Sequence, residues 1–465
     1  MTESTGNGFV DAFKRYMPDS FVFAILLTLI CAVLAAATVG AGPMTIISGW
    51  YKGFWSLLEF GMQMVLILAT GFAIALSTLV GKLIDRLTRY ISTPAKVYVF
   101  VVVAGYFFTY ISWGWLVVTA VLARKLAERV GGIDYRYLVA CVYLSGGGWV
   151  TGLSSSIPLV LNTDGNFLIE AGILSGKVPT SLTLGSPLNL AMIAFYVAVP
   201  PLLMYFLRPR EGSAVEMKDL RAKGEQEETR TIAEEAQDLK LPYWAVSDAL
   251  NNSRILSLII FAMGGSYIFY YFATSGLDLN LNIMIFTFLM FGLLLHQTPM
   301  RYVIAMKRAC SNISGIVFQY PFYAGIMGIM IHTGLGATIG SAMASGGSML
   351  TYPVYSYLAG AVINFAIPSA GGEFAVLAPS VISAVKDLGA GLPPDVQMAM
   401  VAKASLAIAY GETTTNLLQP FFILIITPVM CAGLRLSARD IMGYLFIPFV
   451  VITVCQCLMV TFIPV

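Results

Sequence analysis

This chain is short of charge and nearly without histidine: Asp, Glu, Lys and Arg make up 11% of its 465 residues, and the 2 histidines are His296 and His332. Soluble domains carry about a quarter of their residues as those four types, so the shortage excludes one. Two separated histidines near span ends offer no metal ligand set. No G-x-x-x-x-G-K-[ST] phosphate loop occurs, which argues against ATP as the power source. No G-x-S-x-G elbow or H-E-x-x-H pair occurs either, and no nucleophile–base pair is legible, so the reading is not an enzyme. The 6 cysteines (Cys31, Cys141, Cys310, Cys431, Cys455, Cys457) lie in or beside apolar runs without Cys-x-x-Cys spacing. They read as buried free thiols, not a disulfide framework. Basic residues come in short clusters between apolar runs and the net charge is +2, so no nucleic-acid surface is expected.

What is present is apolar: 58% of the residues are hydrophobic. At about 20 residues per crossing, full-length candidates fall at 20–41, 55–80, 137–161, 186–207, 254–273, 282–297, 312–333, 401–430 and 441–464. The run 20–41 is too long for a cleaved signal and reads as a membrane helix. An all-α polytopic membrane protein follows, with about nine full spans. Two further stretches, 97–123 and 352–385, do not fit as simple crossings.

Charge explains why. Short cytoplasmic loops are rich in Lys and Arg. Lys14 and Arg15 put the N-terminus, 1–19, inside, and Lys82, Arg86, Arg89 and Lys96 put 81–96 inside. One crossing by 97–123 would then place Arg124, Lys125, Arg129 and Arg136 outside, and two crossings need about 40 residues. A re-entrant hairpin with its tip at Ser112-Trp113-Gly114 resolves both problems. The same logic makes 352–385 a hairpin from the opposite side, its tip near Ser369-Ala370-Gly371-Gly372, because the loops 334–351 and 386–400 are poor in Lys and Arg. Each hairpin precedes an interrupted span: Gly146-Gly147-Gly148 to Ser156-Ile157-Pro158 within 137–161, and Gly411-Glu412 to Gln419-Pro420 within 401–430.

The expected organisation is therefore two inverted-topology repeats, 20–207 and 282–465, with 254–273 as the extra span that inverts the second copy and a C-terminus outside. Residues 208–253 mix both signs (Glu225, Glu227, Glu228, Arg230) and read as a solvated, partly helical cytoplasmic linker. Polar interruptions in matching segments of two halves point to a transporter's central site.

Ionisable residues within spans are costly and are functional candidates by default. Glu373 and Glu412 are such residues, each able to bind a cation or carry a proton, with Gly146, Gly411 and Thr413 as further ion-coupling candidates. Ser112, Trp113, Gly114, Ser154, Ser155, Ser156, Ser369, Gly371, Gly372, Thr414, Thr415, Asn416 and Gln419 are the substrate candidates. Helix N-termini at breaks suit a carboxylate. With almost no Lys or Arg at depth, a singly charged anion is favoured, and Trp113, Trp149, Phe374 and Phe421 suit a short alkyl tail. The structural alternative for the hydroxyls is helix packing or bonding back to helix carbonyls. No cofactor is expected; the coupling ion is Na⁺ or H⁺. The alternatives are a passive small-anion channel, a transporter of another small carboxylate, or an intramembrane enzyme using Glu373 and Glu412 as acid and base.

These segments resemble the short-chain fatty acid transporter family, the AtoE-like permeases. The likeness runs through Leu58-Glu59-Phe60-Gly61-Met62-Gln63-Met64, Ser112-Trp113-Gly114, Phe318-Gln319-Tyr320-Pro321-Phe322-Tyr323-Ala324-Gly325 and Asn364-Phe365-Ala366-Ile367-Pro368-Ser369. It continues through Ala409-Tyr410-Gly411-Glu412, Asn416, Gln419-Pro420-Phe421 and Arg439-Asp440-Ile441-Met442-Gly443-Tyr444. Where the family motif carries an aromatic residue or histidine after the paired glycines, this chain has Glu373. The resemblance implies uptake of acids such as butyrate or acetoacetate, a bacterial inner-membrane location, and the architecture of the wider ion transporter superfamily. That architecture in turn implies a homodimer and an elevator-like movement.

Overall fold

The computed structural model describes residues 20–209, 214–221, 231–310, 314–364, 367, 369–418, 426, 429–431, 434–436 and 439–465. Helices dominate, and there is no strand among the described residues beyond the isolated bridge between Arg221 and Leu434. In a bilayer no water is available to satisfy backbone groups, so apolar runs close their own hydrogen bonds as helices.

The first half contains α1 (Ser20–Val39), α2 (Pro43–Ser56), α3 (Leu58–Ala75), α4 (Thr78–Leu87), α5 (Pro94–Ile111), α6 (Leu116–Arg129), α7 (Tyr135–Ser145), α8 (Ser156–Leu161), α9 (Phe167–Glu170) and α10 (Pro187–Phe206). The linker carries α11 (Ile232–Asp238) and α12 (Val246–Asn251), and α13 (Arg254–Ser275) follows. The second half contains α14 (Leu281–His296), α15 (Pro299–Cys310), α16 (Ser314–Thr333), α17 (Leu335–Gly346), α18 (Tyr352–Ile363), α19 (Ala370–Leu388), α20 (Pro394–Thr415), α21 (Arg439–Met442) and α22 (Phe446–Phe462).

Local chemistry sets many of the helix starts. Proline stands in the first turn of α2, α5, α10 and α20, where its missing N–H would have had no helical partner. Ser77, Asp134, Ser186, Ser253 and Asn280 accept backbone N–H groups at the starts of α4, α7, α10, α13 and α14. Each such cap contributes about 1 kcal/mol.

Five segments among the described residues are long and apolar enough to cross a membrane: Leu58–Ala75, Pro94–Ile111, Pro187–Phe206, Arg254–Ser275 and Asp440–Phe462. Large apolar side chains on α1, α13 and α22, such as Val33, Phe269 and Val454, face outward, as a lipid-facing surface requires. The buried interior is built where α2 crosses α16, α3 meets α14 and α15, α18 meets α20, and α17 meets α19.

Four segments differ from the sequence expectation. The uncharged loops 42–51 and 334–351 contain helices α2 and α17, because absence of charge marks the membrane's vicinity and says nothing against helix formation. The linker is less solvated than its composition suggests. Ile232 and Ala236 of α11 are buried with Ile304 and Ala305 of α15, and Glu235 pairs with Arg308 at 2.5 Å. The interruption expected from Gly411-Glu412 to Gln419-Pro420 begins later than its first residues, for α20 runs unbroken to Thr415 and turns into 3₁₀ geometry at Asn416–Leu418. Gly411 serves a close approach. A Cβ there would stand 2.0 Å from the Tyr357 carbonyl oxygen, so the glycine lets α18 and α20 touch.

Candidate functional site

Helices α5 and α6 pack together around a short non-helical turn. Ser112 at that turn is extended (φ −153°, ψ 131°) and leads into a 3₁₀ turn, Trp113–Trp115. Ser369 repeats this conformation (φ −155°, ψ 110°) immediately before α19. The first turn is held from two sides. The Trp115 indole N–H donates to the Gly71 carbonyl at 3.1 Å, and the Trp113 N–H donates to Ser154 Oγ at 3.0 Å. Ser112 is buried against Gly71, where a Cβ would lie 2.1 Å from the serine Oγ. Gly114 packs beside Phe72 on the same helix.

The second turn leans on α16. Tyr320 hydroxyl and Ser369 Oγ share a hydrogen bond of 3.1 Å, and the buried Gly371 and Gly372 face Tyr320 and Tyr323 respectively. Phe60 of α3 also reaches Gly371. Thus α3 touches both turns, at positions about 16 Å apart along its axis at 1.5 Å per residue.

After α7 the chain passes through 3₁₀ geometry at Gly146–Thr151 and extended backbone at Gly152 before α8 begins. Irregular buried backbone needs partners. Asn189 of α10 donates to the Thr151 carbonyl at 3.0 Å, the Leu153 N–H donates to the Tyr110 carbonyl at 2.8 Å, and the Tyr106 hydroxyl meets Thr151 Oγ1 at 2.9 Å.

The two breaks are in contact. Tyr143 donates its hydroxyl to the Asn416 carbonyl at 2.6 Å, and Gly147 lies against Thr413 and Tyr196. At the end of α20, three-and-four spacing puts Glu412, Thr415 and Asn416 on one face. There Asn364 Nδ2 donates to the Glu412 carbonyl (2.8 Å), Thr415 Oγ1 (2.9 Å) and Asn416 Oδ1 (2.7 Å). Asn416 Nδ2 in turn reaches Glu412 Oε1 at 3.3 Å. Thr414 points elsewhere, bonding Gln456 Oε1 of α22, which also accepts the Tyr357 hydroxyl at 3.0 Å. Gln456 Nε2 donates to the Tyr196 hydroxyl at 3.0 Å, so one buried amide ties together α10, α18, α20 and α22.

The anticipated residues therefore separate by role. Ser154 braces the first turn, and Ser155 is spent on the Val150 carbonyl at 2.6 Å. Ser156 and Gly146 are buried at the ends of the break, and Thr414 anchors α20. Gln419 lies outside the described residues. Asn364, Gln456, Tyr143 and Asn189 were not anticipated as site residues. Their signal was available for Asn364 and Gln456, each an amide inside an otherwise apolar run.

Part of the remaining group is short of hydrogen-bond partners. Ser112 Oγ and both oxygens of Glu373 are buried without a hydrogen-bond partner among the described residues, and Thr413 Oγ1 and Glu412 Oε2 have none there beyond the contact of these two side chains with each other. Glu373, in the first turn of α19, is fully buried and within electrostatic reach of Glu412. Buried polar atoms are nearly always paired, so a cluster of orphans marks a place where water, an ion or a ligand belongs. Among the described residues no group of three His, Cys, Asp or Glu could hold a metal ion.

Broken helices and paired turns beside buried, unsatisfied oxygens are features expected of an integral membrane transporter. The profile of the family described as Short chain fatty acid transporter matches residues 1–463, and the chain belongs to that family. Two curated relatives carry the short-chain fatty acid transporter name. The one from Escherichia coli (strain K12) is 38% identical over 93% of both chains. The one from Haemophilus influenzae (strain ATCC 51907 / DSM 11121 / KW20 / Rd) is 36% identical, again over 93% of both. Among solved structures, the fold is similar to the Alcanivorax borkumensis YdaH transporter, described as having an unusual topology (TM-score 0.56, 15% identity, 96% of this chain and 98% of that one). It is also similar to Neisseria gonorrhoeae MtrF, described within a class of antimetabolite efflux pumps (TM-score 0.55, 18% identity, 96% of both). The protein is a transporter and not an enzyme.

Proposed function

We propose that this protein is a secondary active symporter of short-chain monocarboxylates such as butyrate, driven by a cation and operating by elevator-like alternating access. The observation that carries the proposal is the set of buried, under-satisfied oxygens on Ser112, Glu373, Glu412 and Thr413 beside two helix breaks. A carboxylate would sit at the start of α19, where the N–H groups after Ser369 and the positive end of the helix dipole favour an anion. Two carboxyls already occupy the region, and the described site holds no Lys or Arg. Lys403, the basic residue of α20, is turned to the Thr461 carbonyl at 3.3 Å. A third negative charge in a low-dielectric site is strongly disfavoured unless a positive one accompanies it. Substrate binding therefore requires a proton on Glu373 or Glu412, or a bound Na⁺.

The order of elements supports inverted repeats with re-entrant hairpins α5–α6 and α18–α19. Equivalent contacts recur when the halves are exchanged: α3 with α14 as α16 with α1, and α5 with α10 as α18 with α22. The reading carries with it a bacterial inner-membrane location, an N-terminus inside, a C-terminus outside and a homodimer.

The test is butyrate uptake into proteoliposomes with Na⁺ and pH gradients imposed separately. One gradient drives accumulation, and Glu373→Gln or Glu412→Gln abolishes that dependence while counterflow exchange persists. Uptake indifferent to both gradients sinks symport, and flux without saturation or counterflow identifies a passive anion channel.

A further inference from the structure

The linker treats its apolar residues in two ways. In α11 they are buried: Ile232 and Ala236 lie against α15. A few residues later Leu239, Leu241, Tyr243, Trp244, Val246 and Leu250 are all exposed, Trp244 at 81% and Tyr243 at 66%. This exposure belongs to an ordered segment. The Asp248 carboxylate accepts the Leu241 N–H at 2.9 Å, which folds the residues before α12 back against it, and Asn252 donates its amide to the Asp248 carbonyl at 2.9 Å. Val246 and Leu250, four apart, share one face of α12, and Ser247, Asp248 and Asn251 take the other.

Six large apolar side chains within twelve residues exceed what scattered surface hydrophobics explain. Their location selects the partner. Ser253 caps α13, a helix long and apolar enough to cross the membrane, and after the polar residues 251–254 exposed apolar side chains resume at Ile255, Leu258 and Ile259. Trp and Tyr are enriched where a span meets the headgroups, since their rings are apolar and their N–H or O–H groups stay wet. Lys240 within the segment and Arg254 just after it can reach lipid phosphates.

We propose that residues 239–250 are an interfacial membrane anchor, lying in the lipid headgroup region with Trp244, Val246 and Leu250 turned into the bilayer. The occupant of this surface is lipid. The anchor fixes one end of the linker to the bilayer while α11 fixes the other to α15.

The test compares tryptophan emission of the full chain and of Trp244→Phe, both in phosphatidylcholine vesicles; the difference spectrum isolates Trp244. With lipids carrying a nitroxide near the headgroup, that component loses roughly half its intensity, and less when the nitroxide sits deep in the acyl chain. Aqueous iodide has little effect on it. Strong iodide quenching with none by lipid nitroxide overturns the proposal in favour of a solvated linker. Protection from both quenchers that rises with the protein-to-lipid ratio overturns it in favour of a second copy of the chain.

Discussion

Replacing Asn364 by aspartate exchanges a donor for an acceptor where the end of α18 meets the end of α20. Asn364 Nδ2 stands 2.7 to 2.9 Å from three oxygens. Two of them keep other partners: the Glu412 carbonyl still receives the Asn416 N–H, and Thr415 Oγ1 still donates to the Gly411 and Glu412 carbonyls. Asn416 Oδ1 is left facing a new oxygen. Losing two hydrogen bonds removes about 2 kcal/mol, and one orphaned buried acceptor adds about 1–3 kcal/mol. The total, about 3–5 kcal/mol, divides between folding and the geometry of the break. Even half of it, about 2 kcal/mol, corresponds to roughly a thirtyfold rise in KM. The assay is butyrate KM in proteoliposomes alongside Tm in detergent with and without butyrate. Because a protonated aspartic acid regains one donor, Asn364→Asp should recover as pH falls, whereas Asn364→Leu should not. A KM and Tm both unchanged in Asn364→Asp would refute the claim that this amide fixes the site.

Gly411→Ala puts a methyl group 2.0 Å from the Tyr357 carbonyl oxygen, so α18 and α20 must separate. The expected loss is about 1–3 kcal/mol, read as a lower Tm; an unchanged Tm would mean that the two helices do not need this contact. Gln456→Leu removes the hydrogen bonds of the Tyr357 and Tyr196 hydroxyls, at a cost of about 1–3 kcal/mol each. Butyrate KM should rise in the same direction as in Thr414→Val, and the double variant should be no worse than Gln456→Leu. Additive effects would show that the amide and Thr414 do not act together.

Several features of this chain are local and therefore legible without coordinates. The low charge and long apolar runs required helices in a membrane, because no other unpaired backbone is tolerated there. The turns at Ser112 and Ser369 were readable because small polar residues interrupt apolar runs. The 3₁₀ stretch after Ser145 followed from three successive glycines. Gly411 misled for the same reason: a glycine in an apolar run signals a break or a close packing contact equally well, and only its neighbour Tyr357 distinguishes them.

Tertiary structure decided which polar groups are spent and which are spare. Ser154, Ser155 and Thr414 looked equivalent to Thr413 in sequence, yet the first three are committed to backbone or amide partners while Thr413 meets only the Glu412 carboxylate. The pairing of Asn364 with Asn416, or of Gln456 with Thr414, joins residues 52 and 42 positions apart. Such contacts depend on the rotation and register of whole helices. Helix rotation and register arise from the packing of every side chain along the interface, and no local pattern contains them.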